Sequence, residues 1–329
     1  MKHSHLFCET AGRMDLRHSD SLPLLTGEVR VAAHFSGVSP GTKSRCFAGA
    51  QPGTPPEGFI PGYQCAGEVV ESASELFAQG DRVFCTGTSR SPLPRMWGGH
   101  TSEAVIPADK AFRLPAHTPL SLAALAKLAA IARHGLRLAA PLPSERIAVV
   151  GLGPIGFFSA AILRLLGHAP VAFDLSPERC ALFQSMGGNA VLIDRNASVS
   201  AQIAAAAQPD LLIDATGAPA LLGRLLEAGP DLPWGETLRR GLRLVVQGSY
   251  PDNVVFPYDS AFTREVTLLF PRDNCPSDLR DVLAWMANGQ LALPADAFAL
   301  ASPSRAQSVY SALAGARSLP LTTVFAWKP

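Results

Sequence analysis

Along roughly the first 120 residues, apolar and polar positions alternate in short stretches broken by Gly and Pro, with little helical periodicity. Gly27–His34, Cys65–Glu71, Asp81–Cys85 and Thr101–Ile106 read as strands. Many short strands with frequent turn signals predict a barrel-like or sandwich β unit. A run of strong helix formers, Leu122–Arg133, then follows Ser121, a residue suited to cap it.

From Ile147 the pattern changes to strand–helix alternation. Ile147–Val150 is wholly apolar, as a parallel strand buried on both faces must be, and an apolar helix follows to about Leu166. A second strand, Pro170–Phe173, ends on Asp174, and Ser176-Pro177-Glu178 opens a helix with Pro in its first turn. Ala190–Ile193, Asp210–Gly217, Arg243–Gly248 and Val266–Phe270 supply four more strands. Six strands with interposed helices predict a doubly wound parallel sheet. Helices near Ser277–Asn288 and Ser304–Ala314 precede a strand at Thr322–Trp327, and Gly229–Gly235 reads as a local insertion.

Between the first of these strands and its helix lies Gly151-Leu-Gly153-Pro154-Ile155-Gly156. Gly151 permits the tight turn, Gly153 lets backbone approach a pyrophosphate, and Gly156 lets helix and strand pack closely. The helix N-terminus then offers free N–H groups and a positive dipole end to phosphate. Asp174 follows at close to the spacing of the acid that binds the adenosine ribose hydroxyls, and a carboxylate there repels a 2′-phosphate. NAD is therefore the expected cofactor, with Arg179 placed to stack on adenine. Thr216, Gly217 and Gly248, at the ends of two later strands, are expected to line its nicotinamide end.

Composition narrows the function classes. At 329 residues, 47% apolar and 17% charged, the chain suits two domains, or one large one, with ample core. A net charge of +1, with basic residues scattered, gives no footprint for nucleic acid or a membrane surface. The uncharged stretch Ile147–Leu163 is shorter than the roughly 20 residues a span needs, and it contains the Gly-Pro turn. MKHSHLFCET has no apolar h-region, so no secretory signal is read and the cytoplasm is the default. The 6 cysteines, at positions 8, 46, 65, 85, 180 and 275, include no CxxC pair and are expected as buried reduced thiols.

The β-rich first half, the later dinucleotide unit and the returning strand together resemble the medium-chain dehydrogenase/reductase superfamily. The markers are Gly27-Glu-Val-Arg-Val31, Ser36-Gly-Val-Ser39, Pro61-Gly-Tyr-Gln-Cys-Ala-Gly-Glu-Val69, Gly80-Asp-Arg-Val83 and Gly151–Gly156. Ser36-Gly-Val-Ser-Pro-Gly-Thr42 and Ala132-Arg-His-Gly-Leu136 look most like its bacteriochlorophyllide a dehydrogenase branch. The resemblance implies an α/β chain with a GroES-like β-rich catalytic domain, residues 1–125 and 272–329. It also implies a Rossmann doubly wound parallel-sheet domain, residues 126–271, with the catalytic domain facing NAD across a cleft.

Zinc-dependent members of that superfamily place a cysteine after Gly-Val, a histidine in Gly-His-Glu, and a cysteine or acid at the start of the helix leading to the cofactor domain. Carried over, those positions are Ser39, Tyr63 and Lys127, with Gln64 in the glutamate's place. A serine hydroxyl, a phenol and an ammonium cannot make the usual zinc site, and no cysteine stands between Gly87 and Val105 to build a structural one. Cys46, Cys65, His34 and His100 remain as conceivable ligands, and no metal is expected. Positions that share a metal in relatives must face one small volume, so Tyr63 and Lys127 could approach each other. An ammonium neighbour lowers a phenol's pKa, which suits Tyr63 to acid–base work on a substrate oxygen. The alternative is that Tyr63 only fills the vacated space. Ser39, Thr42, Lys43 and Ser44 are candidate substrate contacts, Gly41 replaces a relay hydroxyl, and His134 is a candidate proton carrier.

These residues predict a zinc-independent, NAD-linked oxidoreductase interconverting a secondary alcohol and a ketone on a small or biosynthetic substrate. Reduction of an activated C=C bond with NAD(P)H is a second reading, and a catalytically silent nucleotide-binding subunit a third. The partners expected are a small-molecule substrate and, as an open alternative to a monomer, a second copy in a homodimer.

Overall fold

The computed structural model describes residues 2–235, 240–250, 253–313 and 320–328. The chain divides into two compact units, Met1–Lys127 with Leu279–Pro329, and Leu128–Asp278. Its crossings between them fall a few residues later than residues 125 and 272.

The first unit opens on a hairpin that the alternation pattern did not reveal, β1 (Lys2–Thr10) and β2 (Arg13–Asp20), joined by a tight turn at Ala11-Gly12. Then come β3 (Glu28–Gly37), α1 (Pro40–Phe47), β4 (Cys65–Ser72), β5 (Arg82–Cys85), β6 (Glu103–Pro107) and the short β7 (Phe112–Arg113). A one-turn helix, α2 (Leu120–Ala123), starts after Pro119, so Ser121 lies inside the first turn and does not cap it. The longer α3 (Ala126–Ala139) restarts two residues beyond α2 and leads into the second unit.

In the second unit, β8 (Ile147–Val150), α4 (Pro154–Leu165), β9 (Val171–Asp174), α5 (Pro177–Ser185), β10 (Asn189–Leu192), α6 (Val199–Ala207), β11 (Leu211–Asp214), α7 (Pro219–Leu225), β12 (Arg243–Val246), α8 (Tyr258–Phe262) and β13 (Thr267–Leu269) follow in turn. The strands form a 6-stranded parallel sheet in the order β10-β9-β8-β11-β12-β13. The order reverses between β8 and β11, the switch point at which open α/β sheets bind ligands beyond their strand ends. All four residues of β8 and all four of β11 are buried, which explains the apolar run of β8 and of Leu211–Ile213 in β11.

The chain returns through α9 (Pro276–Ala287) to β14 (Phe298–Ala301), α10 (Ala306–Leu313) and β15 (Thr322–Ala326). There β15 pairs antiparallel with β3 and parallel with β14, completing a 7-stranded sheet with β4, β5, β6 and β7. Val29, Val31, Val69, Val83 and Ile106 form one core of this unit. Leu6, Met14, Val38, Tyr310 and Phe325 form another under the hairpin, which buries Leu6 and Cys8 of β1 and Met14 of β2. Among the described residues no helix is long and apolar enough to cross a membrane.

Candidate active site

The glycine turn sits where β8 passes into α4. Gly151 has φ +91°, a left-handed conformation that side chains resist, and its N–H donates to Phe173 O at 2.7 Å. A Cβ on Gly156 would lie 1.7 Å from Gly151 O, so helix and turn touch there backbone to backbone. Gly153 differs. It caps α4 with no side-chain hydrogen bond, Pro154 follows it, and a Cβ added there would meet nothing within 4 Å. The open space over Gly153, the uncapped N-terminus and Pro154-Ile155 behind it fit a pyrophosphate.

Asp174, at the end of β9, belongs to the same construction. Its Oδ2 accepts from Leu152 N at 2.6 Å and its Oδ1 from Ser176 N at 2.8 Å, so the carboxylate is fixed against the turn. Arg179 Nη1 stands 3.8 Å from Asp174 Oδ2, in the first turn of α5. Across the switch point, Gly217 and Gly248 come close: a Cβ on Gly248 would lie 2.7 Å from Gly217 N. Thr216 donates its hydroxyl to Asp214 Oδ1 at 2.7 Å.

Two residues here carry more than sequence reasoning gave them. Asp214 is fully buried, and burial, only partly offset by Thr216's hydroxyl and N–H, pushes its pKa up to about 6. Gln247 donates to Ile131 O at 2.9 Å and Ala132 O at 3.2 Å and accepts from Ser159 Oγ at 3.0 Å, tying α3 and α4 to the end of β12. The only signal in the sequence was an amide at the end of an apolar strand.

In the first unit, three segments meet at Gly37. Gly37 N donates to Gln64 O at 3.3 Å, and a Cβ there would lie 2.7 Å from Gln64 Nε2 and 2.3 Å from Ala124 O. Ser39, Tyr63 and Lys127 each lie within three residues of that junction. Ser39 is buried just ahead of α1; Thr42, half-buried, lies in the first turn of α1, and nothing is described of the Lys43 and Ser44 side chains. Tyr63 packs edge-on against Trp97, ring centroids 5.5 Å apart, and Lys127 is half-buried in the first turn of α3. Gln64 is fully buried, and its amide nitrogen and oxygen have no hydrogen-bond partner among the described residues. Sequence reasoning treated it only as a replaced glutamate.

The donor set Ser39, Tyr63 and Lys127 does not fit zinc, which takes thiolate, imidazole or carboxylate. The other conceivable ligands are engaged elsewhere. His100 Nδ1 is 2.8 Å from Ser36 Oγ, and His34 Nε2 is 2.9 Å from Lys328 Nζ. Cys65 faces Cys85, and Cys46 is buried in the core with Leu6, Met14 and Tyr310. Among the described residues, the one group of three metal-ligating side chains within mutual reach is His134, Cys275 and Asp278. His134 lies within α3, with Nδ1 2.9 Å from Asp278 Oδ2. Arg137 Nη2 holds Asp278 Oδ1 at 2.7 Å, and Cys275 N and Sγ donate to Oδ2 at 2.9 and 2.8 Å. Burial raises the Asp278 pKa, but the Cys275 and His134 hydrogen bonds and the Arg137 charge outweigh it and hold it below the usual range. That network anchors the start of α9 to α3, with a guanidinium already in the place of a cation. A pocket of about 380 Å³ beside α7, lined by Pro219, Gly223, Arg224 and Asn253, includes none of these residues. The glycine turn, and not that pocket, is where the chemistry of the second unit points.

Comparison with known proteins places these features in a family. The alcohol dehydrogenase GroES-like domain matches residues 26–116. A 2-desacetyl-2-hydroxyethyl bacteriochlorophyllide A dehydrogenase from Cereibacter sphaeroides is 30% identical over 278 residues, 81% of this chain and 80% of that protein. An alcohol dehydrogenase from E. coli CFT073 complexed with NADH superimposes with TM-score 0.82 at 16% identity, covering 99% of both chains. A putative zinc-binding dehydrogenase from Sinorhizobium meliloti 1021 bound to NADP gives TM-score 0.83 at 20% identity, again over 99% of both chains. With a GroES-like unit, a six-stranded dinucleotide sheet in the 3-2-1-4-5-6 order and these relatives, the chain belongs to the medium-chain dehydrogenase/reductase superfamily of the zinc-type alcohol dehydrogenase kind.

Proposed function

We propose that this chain is a zinc-independent, NAD(H)-dependent oxidoreductase that interconverts a secondary alcohol and a ketone. The observation that carries the reading is the open, uncapped turn at Gly153 with Asp174 fixed beside it. Gly151–Gly156 would hold the pyrophosphate, Asp174 the adenosine ribose, and Thr216, Gly217 and Gly248 the nicotinamide end. When bound, the nicotinamide takes up or gives the hydride. The hydroxyethyl group in the name of the Cereibacter relative is an alcohol that dehydrogenation turns into a carbonyl, which supports this reaction class.

The chain's own residues must then manage the substrate oxygen. Tyr63 is assigned as the acid–base group, taking the hydroxyl proton in oxidation and returning it in reduction. Lys127 is assigned to favour the phenolate by its positive charge. The convergence of their segments at Gly37 supports this pairing. Gln64 serves both redox states: its amide oxygen accepts from an alcohol O–H, and its N–H donates to a ketone oxygen.

A panel of secondary alcohols and ketones, including a hydroxyethyl tetrapyrrole, is to be assayed by NADH absorbance with wild type and Tyr63→Phe. Turnover should fall about 10²–10⁴-fold in the variant, the range for a lost general acid–base, with NADH affinity unchanged. Wild-type turnover in Tyr63→Phe would leave the ring as space-filling and move the acid to Lys127 or Thr42.

A further inference from the structure

We propose that Cys65 and Cys85 are a covalent modification site: a buried thiol pair that a hydroperoxide converts to a reversible intramolecular disulfide. Cys65 opens β4 and Cys85 closes β5, and the two stand directly opposite in the antiparallel register. Their sulfurs are 3.1 Å apart, both side chains are fully buried, and both cysteines are free. Opposed residues on antiparallel strands have Cα atoms about 4.5–5.5 Å apart, inside the range of about 4.4–6.8 Å that a disulfide spans. Closing the gap to an S–S bond of about 2.05 Å therefore needs side-chain rotation and no change of register.

The two thiols are not equivalent. The sulfurs share one hydrogen bond in which either thiol can be the donor. The Gly87 N–H on the Cys85 sulfur favours a thiolate there, while burial raises the Cys65 thiol. Cys85 is assigned as the nucleophile and Cys65 as the resolving thiol. The Cys85 thiolate attacks one peroxide oxygen, the O–O bond breaks, and the departing oxygen takes a proton to leave as an alcohol or water. The resulting Cys85 sulfenic acid is attacked by the Cys65 sulfur, the S–O bond breaks, and hydroxide leaves as water with the Cys65 proton. Two thiols lose two electrons and the hydroperoxide gains them. A thiol reductant reverses the bond by exchange.

Access comes through the sheet end. β5 has 4 residues and is covered on its far side by a strand of 2. Both thiols lie in the core of this unit, so peroxide reaches them only by local opening of this short edge, which makes the reaction slow. The other thiols are held differently: Cys180 donates to the carbonyls of Val191 and Asp174, and Cys275 to a carboxylate.

The test uses the reduced full-length protein exposed to hydrogen peroxide, quenched with N-ethylmaleimide and digested without reductant. Mass spectrometry should find a peptide pair linked through Cys65 and Cys85 that disappears after dithiothreitol. Cys65→Ser should instead leave Cys85 as a sulfenic acid trapped by dimedone, and Cys85→Ser should leave Cys65 unoxidised. Wild-type mapping decides the matter even if a variant misfolds. Recovery of both cysteines as maleimide adducts after the remaining thiols have reacted, or over-oxidation of Cys85 without a link, overturns the proposal.

Discussion

Replacing Gly153 and Gly156 by alanine, one at a time, separates what the turn does for the fold from what it does for a ligand. In Gly156→Ala the new methyl meets Gly151 O at 1.7 Å, against a floor of 3.0 Å for real contacts, and a backbone carbonyl has no rotamer to yield. Helix and turn must part, an overpacking that costs about 1–3 kcal/mol or more, against about 0.4–1 kcal/mol returned by the stiffer unfolded chain. A net loss of about 2 kcal/mol lowers Tm by roughly 4–8 °C for a unit of this size. In Gly153→Ala the methyl points into open space at φ −66°, ψ 178°, which any residue adopts. The chain-entropy gain and the poorer cap nearly cancel, so Tm should stay within about 2 °C. NADH affinity should nevertheless fall at least about tenfold, or ~1.4 kcal/mol, because the methyl occupies the approach of the pyrophosphate. Differential scanning fluorimetry and NADH fluorescence titration read the two effects separately. Wild-type NADH affinity in Gly153→Ala, or an unchanged Tm in Gly156→Ala, would refute the reasoning for that position.

The protein should bind NADH more tightly than NADPH, and Asp174→Ser should narrow the gap; repulsion of a phosphate at 4 Å is worth at most about 4 kcal/mol at an effective dielectric of about 20. Equal affinities in wild type, read by the same titration, would remove Asp174 as the selector. Metal analysis of purified protein should give well below one zinc per chain, and chelators should leave activity intact; stoichiometric zinc would reverse the reading of Ser39, Tyr63 and Lys127. Asp214→Asn should be stabilising above neutrality. The folded carboxyl titrates at about 6 against 3.8 for the ordinary group, so folding takes up a proton between those values and wild-type stability falls as pH rises through that window. The loss is of order 3 kcal/mol, and an asparagine escapes it. Urea unfolding near pH 5 and pH 8 should show the variant's advantage growing with pH; a constant difference contradicts the assignment.

The parts of this molecule legible in its sequence are those whose causes are local. β8, the glycine turn and Asp174 follow one another within a single strand–turn–helix–strand unit, so spacing alone locates them. The hairpin of β1 and β2 was hidden because Leu6, Cys8 and Met14 find their partners in Tyr310 and Phe325, far along the chain. Helix α1 was hidden too, since Pro40-Gly-Thr reads as a turn, although Pro as the first helical residue is also a helix start. The convergence at Gly37 of the segments that carry Ser39, Tyr63 and Lys127 was expected from family positions. The burial of Gln64 and Asp214 was not, because burial is decided by neighbours on other segments.

The pairing of β15 with β3 bears on how the protein is made. Thr322 Oγ1 donates to Val38 O across 284 residues, and Val38 N reaches Thr323 O. During synthesis the whole dinucleotide sheet leaves the ribosome before β15 exists, so it can fold while β3 still presents an open edge. Closing so distant a pair is slow, and an uncovered edge invites pairing with other chains. The nascent protein should therefore depend on chaperone protection during the interval between the second unit and β15, and chains shortened ahead of Thr322 should collect in aggregates through their first unit.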